Sequence, residues 1–231
     1  MSSARSPLLM GVVNVTPDSF SDGGSFLDPA HAVDHALRLA GEGAAILDIG
    51  GESARPGADP VDAATELSRV LPVIRALSAQ TAAAISIDTR KPAVARAAIE
   101  AGASIWNDVS ALTFAPDSLA TAAMLDCRLV LMHAQGDPKT MQDDPRYDDV
   151  VAEVAAFLAS RIAACEAAGV KRDRLILDPG IGFGKTLAHN LALIGGLSAI
   201  AALGRPVLLG ASRKRFIAAL DRQGPASDRL G

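Results

Sequence analysis

The stretch Leu175-Ile176-Leu177-Asp178-Pro179-Gly180-Ile181-Gly182-Phe183-Gly184-Lys185-Thr186 decides how the rest of the chain is read. Three apolar residues in a row read as a strand buried on both faces. The run stops at a carboxylate, and Pro179-Gly180 turns the chain at once. A carboxylate at the end of a buried strand is costly unless something pairs with it. The same design recurs. Val12-Val13 ends at Asn14, Ile46-Leu47 at Asp48, Ile85-Ser86-Ile87 at Asp88, and Ile105-Trp106 at Asn107-Asp108. Val130-Leu131-Met132 ends at His133, and Val207-Leu208-Leu209 at Gly210-Ala211-Ser212-Arg213-Lys214. Seven short apolar runs thus carry a polar group at or just past the C-terminal end. A parallel α/β barrel or open sheet gathers an active site on one rim in this way.

The glycines after Asp178 imitate two nucleotide motifs without completing either. Gly184-Lys185-Thr186 resembles the end of a phosphate-binding P-loop, but the first glycine of that pattern falls on Pro179. Gly180-x-Gly182-x-Gly184 is one residue short of the dinucleotide fingerprint.

Composition narrows the class. A chain of 231 residues suits one large domain or two small ones, and single α/β barrels run to about 250 residues. Hydrophobic residues are 49% and aromatics only 3%, so the core must be built of Ala, Val, Leu and Ile. The net charge of −4 argues against a nucleic-acid binder. Arg213-Lys214-Arg215 is the densest basic cluster and suits one anionic ligand. Cys127 and Cys165 form no C-x-x-C pair, which predicts buried thiols in a reducing compartment. No run has membrane-span length and no signal peptide is evident, so the cytoplasm is the expected location.

Taken in order, strand and helix alternate. Strand one is Leu8 to Val15 and opens into a polar loop through Gly24. Asp28-Pro29 starts a helix with Val33, Ala36, Leu37 and Ala40 on one face. Strand two is Ala45 to Gly50, followed by a second loop through Gly57. Asp59-Pro60 restarts a helix, which Pro72 should kink. Strand three is Ala84 to Asp88, with a helix entered at Pro92, and strand four ends at Asn107-Asp108. A helix from about 117 to 125 leads to strand five, Arg128 to His133. Val150 to Ala168 and Asn190 to Leu203 read as helices, and Pro206 to Gly210 as strand seven. The alternation predicts a parallel sheet covered by helices, in a single domain over residues 1–231. The strand count favours a barrel, with an open doubly wound sheet as the alternative. His31 and His35 stand one helical turn apart, but no third metal ligand follows them.

The loops are more specific than the strands. Asn14-Val15-Thr16-Pro17-Asp18-Ser19-Phe20-Ser21-Asp22-Gly23-Gly24 resembles the first signature of the dihydropteroate synthase family, and Gly50-Gly51-Glu52-Ser53-Ala54-Arg55-Pro56-Gly57 its second. Asp88-Thr89, Asn107-Asp108, Leu131-Met132-His133, Asp178-Pro179-Gly180-x-Gly182-Phe183 and Ser212-Arg213-Lys214 follow in the family's order. The resemblance implies a (β/α)8 TIM barrel, usually dimeric, working in folate biosynthesis. It implies joining of p-aminobenzoate to dihydropterin-6-ylmethyl diphosphate with release of diphosphate, and competition by sulfonamides. It implies that Asp88, Asn107, Asp178 and Lys214 hold the pterin while Met132 and Phe183 line its slot. Asn14 would contact the Mg2+ that accompanies the diphosphate, and loops around Asp18 and Arg55 would close over the site. Ala54, Ser212 and Arg213 complete the expected binding set. Ala54 departs from the family, which usually has a hydrogen-bonding Thr there.

The chemistry suits these residue types. A pterin's 2-amino-pyrimidinone edge carries adjacent N–H donors. A buried carboxylate accepts two of them in a fork, and an amide supplies both a donor and an acceptor. Diphosphate leaves readily only when its charge is neutralised. Two rival readings are a methyl transferase acting on a reduced folate and a pterin-binding module without catalysis. The loop from Asn14 to Gly24 and the Ser212-Arg213-Lys214 end count against the first.

One expectation concerns the end of the barrel. Only seven strands are legible, and the family's terminal Arg-x-His, which binds diphosphate, does not follow residue 214. A closed eight-stranded barrel needs its last strand to bond both the first and the seventh. The eighth strand and its helices are therefore expected in a longer chain of roughly 260–280 residues, with these 231 residues alone aggregation-prone and poorly active.

Overall fold

The computed structural model describes residues 6–16, 29–53, 59–136, 140–214 and 216–217. They fall into two compact units. The first takes the described residues up to Ser53, then Asp59–Asn107 and Met124–Cys127. The second takes Asp108–Ala123 and the described residues from Arg128 onward.

The first unit is built on β1 (Met10–Asn14), β2 (Ile46–Gly50), β3 (Ala84–Asp88) and the start of β4 (Ile105–Asp108). Each pairs in parallel with the next. The connections are α1 (Pro29–Gly41), α2 (Ala63–Gln80) and α3 (Pro92–Glu100). Leu47, Ile49, Ile87 and Trp106 are fully buried in the strands, and Val70, Val73, Ile74 and Leu77 in α2. This is the core of small aliphatic residues that the composition requires. The Trp106 indole satisfies its one donor on the Thr89 carbonyl at 2.8 Å.

One start differs from expectation here. Helix α2 begins after Asp62 rather than Asp59, because the Asp62 carboxylate accepts from the Thr65 N–H at 2.7 Å. Pro72 lies inside α2, which runs on to Gln80.

The second unit holds α4 (Ser118–Met124) in large part, β5 (Arg128–Met132), α5 (Val150–Ala167), β6 (Leu175–Asp178), α6 (Leu187–Gly195) and α7 (Leu197–Ala201). Strands β5 and β6 are parallel, with Met132 level with Asp178. The seventh strand is shorter than expected. Leu177 donates to the Pro206 carbonyl at 2.9 Å and accepts from the Leu208 N–H at 2.8 Å, giving one bridge at Val207. Leu209 is already 42% exposed, and the chain turns at residues 212–213 with Arg213 at φ 59°.

The expected helix from Asn190 to Leu203 is two helices with an earlier start. Thr186 and His189 form a reciprocal capping box at the entry to α6. Gly196 separates α6 from α7 at a point where a Cβ would lie 2.8 Å from the Val151 side chain.

A buried ion cluster ties α2 to the loop after β3. Glu66 lies on the buried face of α2 and is 0% exposed. Lys91 Nζ donates to Glu66 at 2.6 Å and also to Glu52, and Arg90 reaches Glu52 at 2.5 Å. Burial alone would raise the Glu52 carboxyl, but the bonds from Lys91 and Arg90 outweigh it and hold it below its usual range. The Glu52 contribution is therefore present at neutral pH and lost as the pH falls through the carboxylate range. Lys91→Met keeps most of the stem but leaves Glu66 buried without its cation. We expect a loss of about 3–5 kcal/mol in denaturant unfolding, with much of it restored by the double change Glu66→Leu/Lys91→Met.

Candidate active site

In the first unit the strand register assembles the site. Asn14 pairs with Gly50, Gly50 with Asp88, and Asp88 with Asn107, so four strand ends stand in one row. Gly50 lies between two of these polar side chains. A Cβ there would lie 3.6 Å from Asn14 Oδ1 and 3.6 Å from Asp88 Oδ2, between the amide and the carboxylate. Asp48 sits two residues before Gly50, hence on the same face. Its Oδ2 accepts from Asn107 Nδ2 at 3.0 Å. Burial pushes the Asp48 carboxyl up. An ionised Asp48 offers acceptors only, so the bond fixes which way the Asn107 amide faces. Ser86, buried on the neighbouring strand, opposes that rise together with Asn107.

In the second unit the site is the loop that follows β6. Asp178 is 7% exposed and its Oδ1 accepts from the Gly180 N–H at 2.7 Å. The loop then folds through three left-handed glycines, Gly180 at φ 68°, Gly182 at 82° and Gly184 at 61°. Close approach enforces glycine at two of them. A Cβ on Gly180 would stand 1.8 Å from the His133 carbonyl oxygen, and one on Gly184 would stand 2.5 Å from that of Gln135. Phe183 closes the loop, and the Lys214 ammonium lies 4.5 Å from its ring centroid. Lys214 also donates to the Ile181 carbonyl. Burial pushes the Lys214 ammonium down, and Asp178 opposes that fall.

Asn190, on α6, holds the loop from behind. It accepts from the Gly182 N–H at 2.7 Å and donates to the Thr186 carbonyl at 2.8 Å. Lys185 is 3% exposed and reaches His133 Nδ1 at 3.0 Å and the Phe183 carbonyl at 3.0 Å.

The predicted residues divide clearly. Asn14, Asp88 and Asn107 share one row of the first unit. Met132, Asp178, Phe183 and Lys214 belong to the second, where Met132 is level with Asp178 and Lys214 packs on Phe183. Ser212 and Arg213 lie exposed on the turn before Lys214. Asp18, Ala54 and Arg55 lie outside the described residues. Asp108 serves the backbone, accepting from the N–H groups of Ser110 at 2.7 Å and Leu112 at 3.0 Å.

Two participants were not read from the sequence. Lys185 was absorbed into an incomplete P-loop pattern. Glu66 falls at i, i+4, i+7, i+8 with Val70, Val73 and Ile74, an apolar stripe on which a carboxylate signals a buried partner. Asp48 was legible as the polar end of strand two, but its bond to Asn107 was not. Among the described residues no group of three or more His, Cys, Asp or Glu side chains is placed to hold a metal ion.

Comparison with known proteins places this geometry. Residues 10–230 match the model of a family described as pterin binding enzyme. The dihydropteroate synthase of Escherichia coli K12 is 48% identical over 224 residues, covering 97% of this chain and 79% of that relative. The one from Mycobacterium leprae is 49% identical over 213 residues, covering 92% and 75%. Among solved structures, Xanthomonas albilineans dihydropteroate synthase with 4-aminobenzoic acid superposes with a TM-score of 0.91 at 53% identity, over 97% of this chain and 80% of that one. The same enzyme in complex with 7,8-dihydropteroate gives 0.87 at 50% identity, over 96% and 79%. The Yersinia pestis enzyme in a sulfonamide complex gives 0.91 at 44% identity, over 96% and 80%. These matches bear out the α/β barrel class expected from the alternation of strand and helix.

The glycine positions are directly testable. Gly180→Ala must move either the loop or the end of β5, because a left-handed φ and a 1.8 Å clash with backbone coincide. We expect a fall in melting temperature of several degrees for a loss of about 1–3 kcal/mol. Gly169→Ala, also at positive φ but with nothing within 4 Å of its Cβ, should lose less.

Proposed function

The chain belongs to the dihydropteroate synthase family of pterin-binding enzymes, and we propose how its own residues carry that reaction. The enzyme condenses 6-hydroxymethyl-7,8-dihydropterin diphosphate with p-aminobenzoate, giving 7,8-dihydropteroate and diphosphate, and is of the class that sulfonamides inhibit. The observation that carries the assignment of roles is Asp178, a carboxylate held at a buried strand end within electrostatic reach of Lys214, which stands over the Phe183 ring.

Asp178 accepts the paired N–H donors of the 2-amino-pyrimidinone edge. Lys214 stands over the Phe183 ring and places positive charge beside the bound heterocycle. Met132 and Phe183 supply the apolar walls. From the first unit, Asp88 accepts ring N–H groups. Asn107 offers the ring a donor and an acceptor, its orientation set by Asp48. Serine 212 and Arg213, with Ala54, Arg55 and Asp18, belong to the parts of the site that meet p-aminobenzoate and diphosphate.

The reaction breaks the C–O bond between the pterin methylene and diphosphate, and the electron pair leaves with the diphosphate. The ring nitrogens delocalise the positive charge left on the methylene carbon. The aniline nitrogen of p-aminobenzoate attacks that carbon, forms the C–N bond and gives up one proton to solvent or the departing diphosphate. The protein needs no general base for so acidic an anilinium. Its tasks are orientation and charge stabilisation.

Mg2+ suits the residues present. It takes oxygen ligands and is commonly held by one or two protein groups plus substrate phosphates rather than by a protein cage. Asn14 Oδ1, facing the space left by Gly50, is such a donor. The ion supplies neutralisation of diphosphate charge. No helix among the described residues is long and apolar enough to cross a membrane. We place the enzyme in the cytoplasm, as a homodimer.

The test of the whole reading is release of diphosphate by the purified chain from the dihydropterin diphosphate, dependent on p-aminobenzoate and matched by dihydropteroate formed. Binding without release would mean a pterin-binding module. For the central residue, Asp178→Asn should weaken pterin binding by roughly 2–5 kcal/mol, because a donor replaces an acceptor opposite two N–H groups. A calorimetric affinity within threefold of the parent would refute the role.

A further inference from the structure

We infer that Lys185 is a positioning residue for the pterin: its buried ammonium staples the end of β5 to the loop after β6, and so holds Met132, Asp178 and Phe183 in place. The inference rests on the assignment of this loop to pterin binding.

The geometry matches donors to acceptors. An ammonium has three N–H donors and no acceptor. Lys185 Nζ has three partners at hydrogen-bond distance, His133 Nδ1 at 3.0 Å, the His133 carbonyl at 3.3 Å and the Phe183 carbonyl at 3.0 Å. His133 follows directly on Met132, the last residue of β5, and its N–H donates to the Asp178 carbonyl at 3.0 Å. Phe183 is the aromatic wall. One nitrogen therefore joins the end of β5 to the loop, and the His133 N–H carries the link on to the end of β6. The contact is tight, since the His133 carbonyl is the atom that a Gly180 Cβ would strike. A residue serving only to fill this space would be apolar, because burying an ammonium is costly.

The arrangement also makes the staple sensitive to pH. The groups around it are His133 just past β5, Asp178 on β6 and Lys214 after the Val207 bridge. Tyr147, ahead of α5, faces the His133 ring at 6.0 Å, and His189 on α6 faces Tyr147 at 4.9 Å. Burial and Lys185 push the His133 imidazole down to about 4, and burial pushes the Tyr147 phenol up to about 12. Neither changes charge between pH 6 and about 9. Burial pushes Lys185 itself down to about 7, with Asp178 opposing and Lys214 adding to the fall. Below that pH all three donors are present. Above it the neutral amine keeps two N–H groups for three acceptors, and one link of the staple is lost. Pterin affinity should therefore fall as the pH rises through about 7.

The experiment is calorimetric titration of the full chain with 6-hydroxymethyl-7,8-dihydropterin at pH 6 and at pH 8.5. The parent, Lys185→Met and the exposed-residue control Lys171→Met are compared, with cooperative unfolding checked for each. We expect the parent and Lys171→Met to lose severalfold in affinity between the two pH values. Lys185→Met should bind at least tenfold more weakly at pH 6 and show no pH step. Lys185→Met binding within threefold of the parent, or keeping the parent's pH step, overturns the inference alone. If Lys185→Met does not fold, the parent decides: a flat profile from pH 6 to 8.5 overturns the inference and a severalfold fall supports it. A parent that binds no pterin at either pH overturns the pterin assignment, and the inference with it.

Discussion

Asp178 ends a strand in which Leu175, Ile176 and Leu177 are all buried, and its Oδ1 meets the Gly180 N–H at 2.7 Å. A carboxylate in that position is stable only with partners, and the partners dictate the next eight residues. The chain must turn back on the strand end to deliver the Gly180 N–H. That turn needs a left-handed residue without a side chain, because the His133 carbonyl occupies the space of a Cβ. Gly182, Phe183, Gly184 and Lys185 then close against β5 and α6 through bonds to Asn190 and His133. A rigid strand end carrying a fixed charge is what recognition of a flat, donor-rich heterocycle requires.

The first unit solves the same problem by register rather than by a loop. Parallel pairing without bulges sets Asn14, Gly50, Asp88 and Asn107 level. Three polar side chains and one absent side chain then share a row, with Asp48 steering Asn107 from one step below. Behind them the Glu52–Lys91–Glu66 cluster anchors the entry to the second signature loop. Residues that bind and residues that brace are adjacent in sequence: Gly51 next to Glu52, Thr89 next to Arg90 and Lys91.

Much of this was legible in the sequence because each strand is a short apolar run with a polar stop. The pattern located β1 to β6, and it named Asn14, Asp88, Asn107 and Asp178 as rim residues. The seventh run was legible as apolar but not as a bridge, since pairing depends on where Leu177 places its N–H and C=O. The start of α2 was misread because Asp59 and Asp62 are equally good caps by type, and only geometry selects Asp62. The start of α6 was hidden because Thr186 belonged to an apparent P-loop. Glycine at 196, where the two helices separate, packs against Val151, far away in sequence. Lys185 and Glu66 share one difficulty. Each is a charged residue whose partner is set by tertiary approach, so a single sequence can flag the residue but not name the partner.

The central claim is that the Asp178 carboxylate reads the amino-pyrimidinone edge of the pterin. The most direct measurement is a double-mutant cycle that crosses Asp178→Asn with a dihydropterin lacking its 2-amino group, each affinity taken by calorimetry. If the two groups touch, removing either should abolish most of what removing the other costs. The account predicts a coupling energy of about 1–3 kcal/mol. Additive losses, with coupling below about 0.5 kcal/mol, would contradict it.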